Sequence, residues 1–145
     1  MRKLLAIFIT VTLLSGCQTA EDGLTTRSAP VAVTGPAASA IASDMASRLA
    51  EQIGPAGTTT LKMEKDSSDF ATALQAALKG WGYTVITDGN VGKNVRPVEL
   101  AYSIDGADGQ VLARLSTPSV VLGRAYATTA AGATPASPLS IIQRN

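Results

Sequence analysis

Histidine is absent from this chain, and cysteine occurs once, at Cys17. The usual zinc sites need several Cys or His ligands, and a Cys–His or Ser–His–Asp nucleophile needs an imidazole, so these residues can assemble neither. A single thiol also rules out an intramolecular disulfide. Aromatic residues make up only 4% of the chain, so Ala, Val, Leu and Ile must fill most of any core. Charge is sparse as well, at 16%, with no run of four or more basic residues. Electrostatic binding of nucleic acid depends on clustered Lys and Arg, so no direct nucleic-acid contact is expected.

What is present suggests one domain of ordinary size. The chain has 145 residues and is 46% hydrophobic, too apolar for a disordered polymer. Met1-Arg2-Lys3 is a short basic start, and Leu4 to Leu14 is apolar apart from Thr10 and Thr12. This order of charged and apolar regions is that of a secretory signal. A bilayer-spanning helix needs roughly 20 apolar residues, and this run stops at Ser15-Gly16. Removing Arg2 and Lys3 from the twelve basic residues leaves ten against eleven acidic ones, a net charge of −1.

The segment Leu14-Ser15-Gly16-Cys17 resembles the lipobox of bacterial lipoproteins. The resemblance implies cleavage before Cys17, with a diacylglyceryl group on its sulfur and an acyl group on its new amino terminus. The thiolate is the nucleophile that accepts the diacylglyceryl group, and small neighbours leave the backbone open to the peptidase. Each buried lipid methylene contributes about 0.8 kcal/mol, so two or more chains anchor stably. Gln18 follows the cysteine where an Asp would favour inner-membrane retention. By that analogy the expected location is the outer membrane, with the body facing the periplasm.

Residues 18–36 are rich in Thr, Ala, Ser, Gly and Pro and read as a tether reaching on the order of 25 Å. From Ala37 the pattern becomes helical, with Ile41, Met45, Leu49 and Ile53 in one stripe and Asp44, Ser47, Arg48 and Glu51 elsewhere. Thr58 to Lys65 alternates as a short strand. Ser67-Ser68-Asp69 suits the start of a second helix whose inner face is Phe70, Ala73, Leu74, Ala77 and Leu78, with Gly80 as its stop. Tyr83 to Thr87 is β-rich, which completes a βαβ unit. Val98, Leu100, Tyr102 and Ile104 share a strand face, Asp105 to Gly109 is a turn cluster, and Val111, Ala113 and Leu115 resume the alternation. A last strand is expected over Ser119 to Thr128. The predicted fold is α/β, a small two-layer sandwich with two helices on one face of a mixed sheet and the order α-β-α-β-β-β(-β). Residues 1–16 are then the signal peptide, 17–36 the tether, 37–128 the domain and 129–145 an Ala/Pro/Ser-rich tail.

Few residues suggest chemistry. Asp105 and Asp108 lack EF-hand spacing, and Gly89-Asn90-Val91-Gly92-Lys93 lacks both the full phosphate-loop spacing and the Ser/Thr after Lys. Ser67-Ser68-Asp69 has no base beside it. Glu64, Asp66 and Asp69 read as solvated residues near a helix start. No catalytic, metal or cofactor residues are therefore expected, and no small-molecule substrate. Trp81, between two glycines, reads either as a cover on the core, which the pattern favours, or as a protein-interface anchor. Leu139, Ile141 and Ile142 read equally as an added edge strand or as a segment docked on a partner.

Three segments carry a further resemblance: Leu14-Ser15-Gly16-Cys17, Phe70 to Leu78 leading into Gly82-Tyr83-Thr84-Val85, and Pro135 to Ile141. On these the chain resembles the TrbH family of conjugal-transfer lipoproteins. The resemblance implies a non-enzymatic part of a mating-pair-formation apparatus, a type IV secretion system, whose partners are the membrane and other transfer proteins. The alternative is a lipoprotein that helps assemble another envelope machine. An enzyme acting on cell-wall material is disfavoured by the missing imidazole.

Overall fold

A computed structural model describes residues 33–145. The expected signal segment, Cys17 and the expected tether up to residue 32 lie outside the described residues. Helix α1 spans Gly35–Ala50, two residues earlier than the pattern suggests, with Pro36 in its first turn. Proline suits that position because the first helical N–H groups have no intrahelical acceptor. Ala38, Ile41, Ala42, Met45, Ala46 and Leu49 are fully buried on its inner stripe. The three alanines among them let α1 sit close to both α2 and the sheet.

A 3-10 turn, Ala56–Thr58, leads into β1 (Thr60–Lys62). Helix α2 covers Asp69–Gly80. Ser68 caps it by accepting a bond from the Ala71 amide at 3.2 Å, and Asp69 lies in its positive first turn. Strand β2 (Thr84–Ile86) then pairs parallel with β1, Leu61 opposite Val85. The expected βαβ unit is thus formed. The two helices run side by side in one direction. At their starts the Gly35 amide meets the Asp69 carboxylate at 3.2 Å; at their ends the Tyr83 hydroxyl donates to the Gly54 carbonyl at 3.1 Å.

Strand β3 (Val98–Glu99) lies parallel to β1 on its other side, Leu61 opposite Val98. After Leu100, whose amide still bonds the Lys62 carbonyl at 2.9 Å, the same run continues as β4 (Ala101–Ala107). The β4–β5 hairpin turns at Asp108-Gly109, with φ of 51° and 75°. Two consecutive positive φ values make a type I′ turn, whose twist matches that of the flanking strands. Strands β5 (Gln110–Ser116) and β6 (Val120–Thr129) form the next antiparallel pair, Leu115 opposite Leu122. The tight connection between them is held by Thr117, whose buried hydroxyl oxygen accepts from the Val120 amide at 3.1 Å.

The residues after Thr129 add two more strands to the same sheet. β7 (Gly132–Pro135) pairs with the second half of β6 and β8 (Ser140–Gln143) with its first half, so the two in tandem flank β6 along most of its length. Of the two readings of the apolar tail, edge addition is the one the structure shows. The result is two helices packed on two sheets, the parallel β2-β1-β3 and the antiparallel one from β4 onward, which meet where β3 runs through Leu100 into β4. The core lies between: Ile41, Met45 and Leu49 of α1, Leu74 and Leu78 of α2, and Leu61, Leu115, Leu122 and Tyr126 of the sheets. Fully burying each such aliphatic side chain is worth about 1.5–3 kcal/mol.

Candidate functional site

The end of α2 explains why Trp81 faces solvent. Gly80 is the last helical residue, but the left-handed residue that turns the chain is Gly82, with φ of 97°. The Gly82 amide bonds the Lys79 carbonyl at 2.9 Å and the Tyr83 amide bonds the Leu78 carbonyl at 3.1 Å. This is the Schellman pattern, completed by apolar contact between the residues flanking the cap; here Leu78 and Tyr83 are both buried. Tyr83 takes the place in the core that Trp81 was expected to cover. Trp81 is left 53% exposed on a backbone fixed at both sides.

On the far edge of the sheet, β8 presents Ile141 and Ile142 to opposite faces, 45% and 54% exposed, while Leu139 packs against the core. Ile142 belongs to the face turned away from the helices. With Leu112, Val121 and Pro138 it lines an open groove of about 340 Å³, bordered by Arg114 and Arg124. The other face of β8 approaches the turn after α1, where Gln143 donates to the Gln52 side chain at 3.1 Å.

Asp44, which lies off the apolar stripe of α1, is tied into the sheet. Its carboxylate accepts from Arg124 at 2.9 Å and from the Tyr126 hydroxyl at 2.6 Å, joining α1 to β6. Arg124 also donates to the Ser137 carbonyl at 3.0 Å, and the Ser137 hydroxyl accepts from the Ala125 amide at 2.9 Å. One arginine therefore holds both the helix and the link between β7 and β8. Burial, and then the bond to Asp44, push the Tyr126 phenol well above its ordinary pKa.

A second polar cluster sits where the parallel strands end. Asp66, in the link from β1 to α2, accepts from the Tyr102 hydroxyl and from the Ser68 amide and hydroxyl, the latter two at 3.0 Å. These bonds, Tyr102 first, hold the Asp66 carboxyl below its ordinary range. Burial and the Asp66 bond push the Tyr102 phenol up to about 12. Its ring also packs on Phe70, with centroids 5.2 Å apart. Beside this cluster a cavity of about 400 Å³ opens, lined by Lys62, Met63, Glu64, Thr87, Asp88, Gly89, Glu99, Leu100 and Ala101. These residues end or follow β1, β2 and β3. The crevice beyond the carboxyl ends of parallel strands is the usual ligand position in open α/β sheets.

The structure does not gather the singled-out residues into one site. Cys17 is outside the described residues, Trp81 belongs to the parallel half, and Leu139, Ile141 and Ile142 lie at the opposite edge. Sequence reasoning missed the strand-end cavity, although the βαβ pattern contained its signal: Glu64 and Asp88 each lie two residues past the end of a parallel strand. Among the described residues, no group of three or more His, Cys, Asp or Glu side chains could hold a metal ion. No described helix is long and apolar enough to cross a membrane.

Fold and surfaces together define a small mixed α/β domain with separate exposed faces. The family model of the conjugal transfer protein TrbH matches residues 19–145. A probable conjugal transfer protein TrbH from Sinorhizobium fredii (strain NBRC 101917 / NGR234) is 78% identical over 148 residues, covering 100% of both chains. No solved structure matches. The chain belongs to the TrbH family of conjugal transfer proteins and has a role in conjugal transfer.

Proposed function

We propose that the protein is a lipid-anchored, non-catalytic assembly component of the transfer apparatus, held to the outer membrane through Cys17 with its body in the periplasm. The observation that carries the assembly reading is family membership over residues 19–145. The anchoring half rests on the lipobox-like Leu14-Ser15-Gly16-Cys17 behind a short apolar run. The chain enters α1 beside Val111 and the turn at Thr128 to Ala130, and Trp81 caps the opposite end of the neighbouring helix. A twelve-residue helix is about 18 Å long, so Trp81 lies at the far end of α2 from the point where the chain enters α1.

The test has two arms. Deleting and restoring the gene is expected to abolish and recover mating, and unchanged mating frequency would remove the assembly role. Cys17→Ser is expected to shift the protein from the membrane to the soluble fraction and to remove the mass of the lipid. A wild-type protein carrying an unmodified thiol would remove the anchor.

A further inference from the structure

The run from Val98 to Ala107 has different neighbours on its two sides. The Leu100 amide points to β1, where it bonds the Lys62 carbonyl at 2.9 Å. In a two-residue hairpin the residues flanking the turn form a hydrogen-bonded pair, and such pairs recur at every second residue. With Ala107 opposite Gln110, the backbone groups of Asp105, Ser103 and Ala101 therefore face β5. Those of Tyr102, Ile104 and Gly106 face the other way, along the lane that β1 occupies farther back. β1 ends at Lys62, and its chain leaves towards α2. Among the described residues, no strand pairs with β4 on this side. β6, by contrast, is flanked by β7 and β8.

The approach to this lane has a definite character. The cavity of about 400 Å³ opens beside its beginning, with Met63, Leu100 and Ala101 as apolar floor. Its charged lining is Glu64, Asp88 and Glu99 against Lys62 alone. Lys62 lies 4.0 Å from Glu99, so the remaining charge is negative. The Asn90 amide lowers the Asp88 pKa and favours its charged form, and Asp105 adds a further exposed carboxylate along β4.

We propose that this lane is a strand-addition site for a basic, extended segment of another transfer protein. The incoming backbone pairs with Tyr102, Ile104 and Gly106, while alternate side chains reach the acidic cavity and the apolar floor. Backbone pairing supplies affinity and the side-chain pockets supply selectivity in this mode of recognition. The inference rests on the assembly reading only for the source of the segment.

The experiment uses the soluble Cys17→Ser chain and two ten-residue peptides, one alternating valine with lysine and one alternating valine with glutamate. Amide exchange is followed by NMR. With the lysine peptide at about ten times its dissociation constant, exchange at Tyr102, Ile104 and Gly106 should slow about tenfold. The glutamate peptide should leave it unchanged. Gly106→Pro removes an outward N–H at a position where an edge strand tolerates proline, and it should cancel the protection at Ile104. Should that variant misfold, the doubly exposed pair Glu64→Lys with Glu99→Lys should cancel it instead. Protection by both peptides alike, by neither, or only at Ser140 to Gln143 would overturn the proposal. So would amides that are protected without peptide and become exposed when residues 18–32 are deleted, because the chain would then fill its own lane. These outcomes are read without any mating assay, so the proposal can fail while the transfer role stands.

Discussion

The antiparallel sheet and the parallel one are built differently. From β4 to β6 the strands have seven to ten residues, and β6 is flanked by β7 and β8. Helix α1 is bonded to that half through Asp44, Arg124 and Tyr126. On the other side β1, β2 and β3 have only two or three residues each, and a cavity opens at their ends. Local stability follows the density of buried contacts and protected ladder bonds. The contrast is one of construction: the long strands carry most of the ladder bonds, and the short strands leave a crevice at their ends.

The sharpest way to break this contrast is to remove one apolar side chain from each half. Leu122→Ala, in a fully buried β6 position, should cost about 3 kcal/mol by urea unfolding. Val85→Ala, at a partly buried β2 position, should cost about 1 kcal/mol. Equal losses would mean that both halves bear the fold alike. Next in size is Asp44→Ala, which strips a partly buried carboxylate from Arg124 and Tyr126 and should cost about 2 kcal/mol. A double-mutant cycle with Arg124→Ala measures the coupling, and a value near zero would detach α1 from the argument.

Tyr102→Phe keeps the ring on Phe70 but removes the phenol from Asp66, and about 1 kcal/mol should be lost at pH 7. The sign of its pH dependence follows from both groups. A carboxyl held below its ordinary 3.8 stabilises the fold above that value, and the contribution is lost as pH falls through the lower folded pKa. The raised Tyr102 contributes fully below pH 10 and loses its effect as pH rises through about 12. Urea midpoints of wild type and variant should therefore converge at low pH, and a constant gap would exclude Asp66 as the partner. The smallest effect on stability belongs to Trp81→Ala, within about 0.5 kcal/mol for an exposed side chain. Mating frequency should nevertheless fall. A matching loss of thermal stability would return Trp81 to the core.

Much of the fold was legible because period and punctuation act locally. The α1 stripe, the Ser68 cap and the Asp108-Gly109 turn each depend on neighbours within a few residues. The bonds of Asp44 were not legible because its partners Arg124 and Tyr126 lie 80 and 82 positions away, and no helical period reveals a bond across that distance. The fate of Trp81 depended on a single residue. Once Gly82 takes the left-handed conformation, Tyr83 turns inward and Trp81 outward.

The sequence by itself determined the α/β class, the parallel βαβ order and the lipobox-like cysteine, because short-range spacing encodes all three. Only the tertiary structure decided that the apolar tail completes the sheet, that one arginine ties it to α1, and that β4 runs on past the end of β1. Those outcomes depend on backbone groups meeting across distant segments. A strand's own residues specify which faces alternate, but the rest of the fold decides which of its edges is filled.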